Sequence, residues 1–496
     1  MRGWTTLVPL LRDVVARARC AGSLHAAKLD IRAFTSLSHA APLGAAPPAV
    51  TGLRQLAKAA GSAPGLASWA ARGALAAAPS PPHLLHGLRW VASLAGPGPA
   101  AATPYGAAAL TAGLSAAQRR WLALWLGGCS AWVAVLVVLG GVTRLTRSGL
   151  SMTDWKFGGE RAPSGDAEWE AEFARYAASP EFRRVNSRMT LDEFKAIYWM
   201  EFAHRYWGRG LGLLFAGPAL AFAAGRAVTT PLARRLALLF AMGGTQGLVG
   251  WWMVRSGLED PADPHAVPRV SAYRLAAHLT SAFAIYATLV WTTLDVARPG
   301  AGAGGAAAAA AAAALARWAL PVAGLLAVTA VSGAFVAGLD AGRAFNTFPT
   351  MNGRWVPEEY WDVPGWRKAC ESTAAAQLHH RALAASTLAA VGALAWRARR
   401  LPALPGRAAT LTAALAAATC LQVGLGLAAL LNAVPVELGA AHQANALTLF
   451  TLALALLHAL RPGPVKAAAA RRLAVYVTPV AAVAVVGIGA AVTQVH

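Results

Sequence analysis

Glu201, His204 and Arg205 fall within one short stretch, "EFAHR", where a polar segment gives way to a long apolar one. A charged side chain at membrane depth costs about 2.5–3.5 kcal/mol on insertion scales, so such groups persist where they have partners or a task. The pattern returns as "QLHHR", with Gln377, His380 and Arg381, at the head of another apolar run. In both places a Gln-led glycine pattern begins 42 residues after the His, "QGLVG" from Gln246 and "QVGLG" from Gln422. An "AAH" then ends at His278 in one copy and at His442 in the other. Equal spacing and equal order mark an internal repeat.

Each half thus has one His opening its second helix and one opening its fourth, at a similar depth. A four-helix bundle brings such side chains together across its core. Facing neutral imidazoles in a dry, planar slot suit haem iron, and Arg205 and Arg381, beside two of the His at the interface, suit haem propionates. A single interfacial His is ordinarily a packing residue; four arranged in duplicate argue for ligands. His265 has no repeat mate and reads as solvated, His458 reads as interfacial on the opposite side, and His379 only neighbours the matched His380. Glycines 140, 141, 208, 210, 247 and 250 read as close-packing positions between helices. The halves differ at one informative place: Glu201, on the same helix face as His204, is matched by neutral Gln377. A duplicated electron carrier has no obvious need of that difference, whereas a reaction in one half beside a resident cofactor in the other does.

The elements that must position these residues are membrane helices. The 496 residues are 56% hydrophobic and only 13% charged, with a mean hydropathy of +0.46, which a soluble chain does not show. Apolar runs near 121–142, 198–222, 236–254, 274–296, 318–339, 377–396, 410–431 and 441–460 approach or exceed the roughly 20 residues that cross a bilayer. A further apolar segment follows at 473–494 as a candidate ninth helix. The expected fold is an all-α polytopic membrane protein, eight transmembrane helices forming two pseudo-symmetric four-helix bundles about an axis along the membrane normal. The expected boundaries are a leader at 1–115, bundles at 118–296 and 318–461, an Ala/Gly-rich linker at 297–317 and a tail at 462–496.

The formal charge of +22 does not indicate nucleic acid, because no basic cluster is interleaved with aromatics. The cations instead follow topology. Connections after the even helices carry Arg226, Arg234, Arg235, Arg298, Arg317, Arg397, Arg399, Arg400 and Arg407 with no acid between the spans, which places them on the matrix or cytoplasmic side. The first 115 residues hold ten Arg or Lys against two acids, and "LVPLLRDVVARARC" is amphipathic and Arg-rich in the manner of a mitochondrial transit peptide. Cys20, Cys129, Cys370 and Cys420 lack metal-site or disulfide spacing.

Together "GGVTRLTRSGLSMTDW", "EFAHRYWGR", "RVSAYRLAAHL", "SGAFVAGLDAGRAFNTFPTM" and "AAHQ" closely resemble the mitochondrial-type haem A synthases of cytochrome oxidase assembly, over about residues 118–461. The resemblance implies oxidation of the C8 methyl of haem O to the formyl group of haem A in the mitochondrial inner membrane. It implies a haem b cofactor on His380 and His442 with Arg381 beside it. It implies a substrate haem between His204 and His278 with Arg205 beside it, and Glu201 as the essential carboxylate. Haem O synthase, a ferredoxin-type electron donor and the lipid bilayer are the implied partners, and a homo-oligomer stays open. Bacterial relatives often carry a cysteine pair in the first outer loop; residues 143–200 contain none, so no relay through such a pair applies. A bis-His dihaem electron carrier and a haem transporter are the competing readings.

Overall fold

The computed structural model describes residues 107–461, apart from Phe157, Ala262, Pro264, His265 and 299–303. Residues 1–106 of the expected leader, the 473–494 segment, Cys20 and His265 lie outside the described residues, whereas the leader's last residues, 107–115, are part of the fold: the short helix Ala107–Leu110 buries Leu110 in the main apolar core together with Leu114. Eight long helices carry the described chain: Ala116–Leu145 (α1), Leu191–Ala224 (α2), Thr230–Leu258 (α3), Ala272–Ala297 (α4), Ala306–Gly338 (α5), Thr373–Arg399 (α6), Gly406–Leu431 (α7) and Val436–Ala459 (α8). Each expected apolar run falls inside one of them to within a residue, and the helices extend further because their starts are capped outside the apolar stretch. Ser115 with Gln118, and Thr190 with Glu193, form reciprocal capping boxes at α1 and α2, satisfying backbone donors that would otherwise lack partners.

Six helices, α1, α3, α4, α5, α7 and α8, are long and apolar enough to cross a membrane. The two that fall short, α2 and α6, carry the "EFAHR" and "QLHHR" stretches, so polar residues at their heads dilute the apolar run. A second expected boundary needs correction. The Ala-rich segment 297–317 is not a plain linker, because the chain is helical from Ala306 onward and this run forms the first turns of α5. Alanine has the highest helix propensity of any residue, and an unbroken run continues a helix rather than interrupting it.

α1 packs on α2, α4 and α8, α4 also packs on α3, α5 and α8, and α5 to α8 close a ring in which α6 and α8 each lie between α5 and α7. Contacts between the repeats come in matched pairs. Leu145 at the end of α1 lies where a Cβ on Gly439 would sit, and Gly338 at the end of α5 is covered in turn by Ala272 and Leu275 of α4. Just beyond, Arg147 and Asp340 both have left-handed backbones, φ 54° and 53°. They face each other with 4.0 Å between Nη2 and Oδ2, while Arg144 reaches Asp340 at 3.0 Å.

At the Arg-rich end, Asp295 of α4 is 2% exposed. It pairs with Arg235 of α3 at 2.9 Å, with Arg461, and with Nε2 of His458 at 3.2 Å. His458 is therefore not interfacial as the sequence suggests: it is fully buried, with its ring edge-on to Trp291.

Between α1 and α2 the chain folds into a cap. Met152, Trp169, Tyr176, Phe194 and Tyr198 form its apolar centre. Glu181, in the short helix Pro180–Arg184, is buried there and accepts from the Tyr176 hydroxyl at 3.2 Å. Burial pushes its carboxyl from 4.5 up to about 7, with Glu201 adding to the shift and Tyr176, Arg147 and Arg144 opposing it. The folded cap thus binds this proton more tightly than the unfolded chain. The contribution to stability is full below about 4.5 and is lost as pH rises through about 7. Glu181→Gln should flatten that slope in limited proteolysis of the cap between pH 5 and 8. An unchanged slope would show that another group sets it.

Candidate functional site

The four repeat histidines share one packing arrangement. A Cβ placed on Gly140 would lie 2.9 Å from Cε1 of His204, and one on Gly250 3.0 Å from Cε1 of His278. On Gly333 it would lie 3.2 Å from Cε1 of His380, and on Gly426 2.9 Å from Cε1 of His442. Each imidazole therefore rests its edge on bare backbone of the preceding helix: α1 under α2, α3 under α4, α5 under α6, α7 under α8. Gly140 and Gly250 were expected as close-packing positions, and their specific use is to seat a ring. Gly247 has nothing within 4 Å of its Cβ position, so the motif's two glycines are not equivalent.

Neighbouring contacts fix these seats. Trp132 of α1 and Trp207 of α2 stack at 4.2 Å, and each indole N–H donates to the other residue's carbonyl, at 2.9 and 3.3 Å. Their interlock sets the α1–α2 register that brings Gly140 to His204. In α3–α4, the Gln246 amide meets Nδ1 of His278 at 3.1 Å and donates to its backbone carbonyl at 2.8 Å, while Ser281 donates to Gln246 Oε1 at 2.5 Å. The α7–α8 pair places a glutamine at the same point but against the other ring nitrogen: Gln422 lies 3.2 Å from Nε2 of His442, whose buried Nδ1 has no hydrogen-bond partner, and Asn445, in the place of Ser281, donates to Gln422 Oε1 at 2.8 Å. In α5–α6, Ser332 Oγ lies 2.7 Å from His380 Nδ1. Nothing bonds to the buried Nδ1 of His204.

Helix packing draws the partners of each half together: α4, which carries His278, packs on α1, which seats His204, and α8, which carries His442, packs on α5, which seats His380. Among the described residues no three His, Cys, Asp or Glu side chains gather around a bare metal site. Paired imidazoles with buried nitrogens lacking protein partners, His204 Nδ1 and His442 Nδ1, instead fit an iron already held by a macrocycle, which needs only axial ligands.

Glu201 and Gln377 hold equivalent places with different surroundings. Glu201, 2% exposed, accepts from Arg205 at 2.7 Å through Oε1, and from Ser151 Oγ at 2.7 Å and Met152 N at 2.9 Å through Oε2. Gln377 accepts from Arg381 at 2.8 Å but donates through Nε2 to the carbonyl of Ala341 at 2.6 Å. The first position is surrounded by donors and the second by a donor and an acceptor, so an amide is no neutral replacement at 201. Both arginines are engaged by protein as well: Arg205 donates to the carbonyls of Met152 and Asp154, and Arg381 to those of Phe345 and Thr350. Each ties an outer loop to its helix head. His379 is held apart from this set, its Nε2 3.2 Å from the Tyr360 hydroxyl.

The sequence reading missed Ser332, Ser281 and Asn445. The repeat held a signal for the last two, which both stand three residues after the "AAH" histidine.

A family described as cytochrome oxidase assembly protein matches residues 123–454. Haem A synthase COX15 of Arabidopsis thaliana is 52% identical over 361 residues, 72% of this chain and 79% of the relative. Haem A synthase COX15 of Homo sapiens is 44% identical over 352 residues, covering 71% and 85%. Haem A synthase of Rhodospirillum centenum is 43% identical over 350 residues, covering 70% and 90%.

Gly333→Ala should drive His380 off its seat by a few tenths of an ångström and cut the haem retained through purification. Gly424→Ala, whose Cβ would meet nothing within 4 Å, should retain the parent amount. Equal loss in both would mean that the glycines serve helix packing and not the rings.

Proposed function

The chain belongs to the cytochrome oxidase assembly protein family, and from that membership we propose that it is a haem A synthase, converting the C8 methyl of haem O to the formyl group of haem A. The observation that carries this reading is the combination of four glycine-seated imidazoles with a carboxylate in one half where the other has an amide. In this reading all eight long helices span the bilayer as two four-helix bundles, residues 118–296 and 318–461, with the helix heads bearing the histidines toward the intermembrane space. The bilayer is the mitochondrial inner membrane and the targeting leader lies within residues 1–106, since Leu110 and Leu114 pack in the core.

His380 and His442 hold haem b, and His204 and His278 receive haem O. Bound haem b supplies one-electron redox chemistry. The chain's own residues hold and polarise the substrate. Gly140 and Gly250 let its two imidazoles approach, and Gln246 fixes the ring of His278. Glu201 is the one acid matched to an amide in the repeat. With Oε2 taken by Ser151 and Met152, Oε1, shared with Arg205 alone, is the atom left to accept a proton or to oppose positive charge at the substrate methyl. Arg205 and Arg381 position the outer loops against the helix heads, and their engagement in the protein makes propionate pairing a secondary role. Haem O synthase is the source of substrate, and a ferredoxin-type protein is the electron donor.

Glu201→Gln should lower haem O conversion roughly 100-fold or more, the range of a lost general base, with haem O accumulating in membranes and the His380/His442 haem spectrum intact. Glu201→Asp keeps the charge and its donors and should retain part of the activity. Parent-level haem A from the Gln variant would reduce Glu201 to a partner of Arg205.

The orientation is tested by single cysteines in mitoplasts. A cysteine near Trp169 should react with an impermeant thiol reagent, and one near Arg400 should be protected. The reverse pattern would invert the topology.

A further inference from the structure

The motif "AAHQ" ends in a residue that the haem reading leaves unused. Gln443 follows His442 on α8 but meets a different helix. Its amide lies across α1 at Gly141, where a Cβ would sit 2.6 Å from Cδ of Gln443 and overlap Oε1. Nε2 donates to the carbonyl of Val137, one turn earlier on α1, at 3.0 Å. That carbonyl also takes a backbone N–H within the helix, so α1 does not need the bond to satisfy itself. What the bond adds is a fixed height of α8 against α1.

Gly141 is the neighbour of Gly140, the seat of His204. Over these two residues α1 is clasped from two sides, by an imidazole of α2 and by an amide of α8. Adjacent glycines permit both approaches and at the same time weaken the helix, because glycine gives up the most backbone freedom on folding. The second half is built otherwise. Gly333 occupies under His380 the register of Gly140 under His204, so Gly141 is matched by Ala334, and Gln443, one past His442, is matched by Leu279, one past His278. Leu279 lies with Ala330 and Val331 of α5 in the wall of a small, mostly apolar cavity, and Ala334 is buried. The α4–α5 seam is thus apolar at this height, where the α1–α8 seam carries an amide on bare backbone.

We infer that Gln443 is a positioning residue of the first-half site supplied by the second half: it braces the Gly140–Gly141 stretch of α1 and so holds the seat of His204 in place for the substrate haem. The inference rests on the assignment of substrate to His204 and His278. A seat on a weakened stretch of helix presents its imidazole at a defined height only while something outside α1 holds that stretch, and an iron ligand whose support shifts binds less well. The second half, with one glycine in place of two, keeps its seat on a stiffer helix. The residue after one haem ligand thereby sets the ground under another.

The test is made on the full-length protein with its haem B bound, by titrating ferric haem O and recording its dissociation constant and low-spin EPR signal, with haem B content and thermal unfolding as references. Gln443→Met keeps the volume and removes the N–H. It should weaken haem O binding about tenfold, the lower end of the range for lost support of a metal ligand, and broaden the EPR signal of the added haem, with haem B content and Tm at the parent level. Gly141→Ala, which displaces the amide, should do the same. Gly141→Ala/Gln443→Leu installs at this seam the residues that stand at the matching places of the other; it restores apolar packing without the bond, and haem O should still bind about tenfold more weakly. Parent-level affinity in Gln443→Met would overturn the inference, and so would parent-level affinity in the double variant, by showing that packing alone suffices. Equal loss of haem O and haem B would overturn it as well, since Gln443 would then hold the two halves together without preference for either site. His204→Ala/His278→Ala separates this outcome from failure of the underlying assignment. If that variant bound haem O like the parent, the substrate assignment itself would be wrong; if it did not while Gln443→Met matched the parent, only the role of Gln443 would fall.

Discussion

A missing side chain under each imidazole governs the arrangement of the helices. A histidine ring aimed into a bundle core takes up the space between its own helix and the next, and the neighbouring backbone can come close only where no Cβ projects. Gly140, Gly250, Gly333 and Gly426 meet that condition at 2.9–3.2 Å. Once a glycine faces a ring, the axial register of that helix pair is fixed. The indole interlock of Trp132 and Trp207, the Gln246 and Gln422 brackets, and the Thr329–Thr387 contact of 2.8 Å hold the same registers from different heights. The site is therefore built from pairs of adjacent helices, each able to seat one ring, brought together in twos.

The outer loops depend on the heads of α2 and α6 in the same way. Burying a guanidinium beside a carboxylate is favourable only when hydrogen bonds satisfy the remaining donors and acceptors, and the Glu201–Arg205 pair meets this with Ser151, Met152 and Asp154. In the second repeat the same geometry survives with the negative charge removed, since Gln377 exchanges a donor-facing oxygen for an acceptor-facing nitrogen. The loops could not be exchanged between halves without reversing the polarity of that contact. At the opposite end Asp295 gathers cations from α3 and from the segment after α8, so the core is bounded by ionic contacts at both ends.

Much of this was legible in the sequence because membrane helices declare themselves by composition and a duplication declares itself by spacing. The eight apolar runs, the pairing of His204 with His380 and of His278 with His442, and the Glu/Gln difference required only counting. The start of α5 was misplaced because an alanine run looks featureless to a reader seeking linkers, although its backbone preference is strongly helical. His458 was misjudged because its partner Asp295 sits inside an apolar run, where an acid is itself a signal of a buried partner. The polarity around Glu201 was not legible at all: whether a side-chain oxygen meets N–H or C=O depends on how a loop of the other chain segment docks, and residue identity carries no trace of that.

Arg147 and Asp340 stand at corresponding points of the two repeats, share a left-handed backbone and face each other. Two copies of the first repeat brought together by the same contact would set arginine against arginine, and two copies of the second would set aspartate against aspartate. Like charges in juxtaposition oppose association, and unlike charges permit it. The charge pair therefore selects for pairing between unlike halves over pairing between like ones.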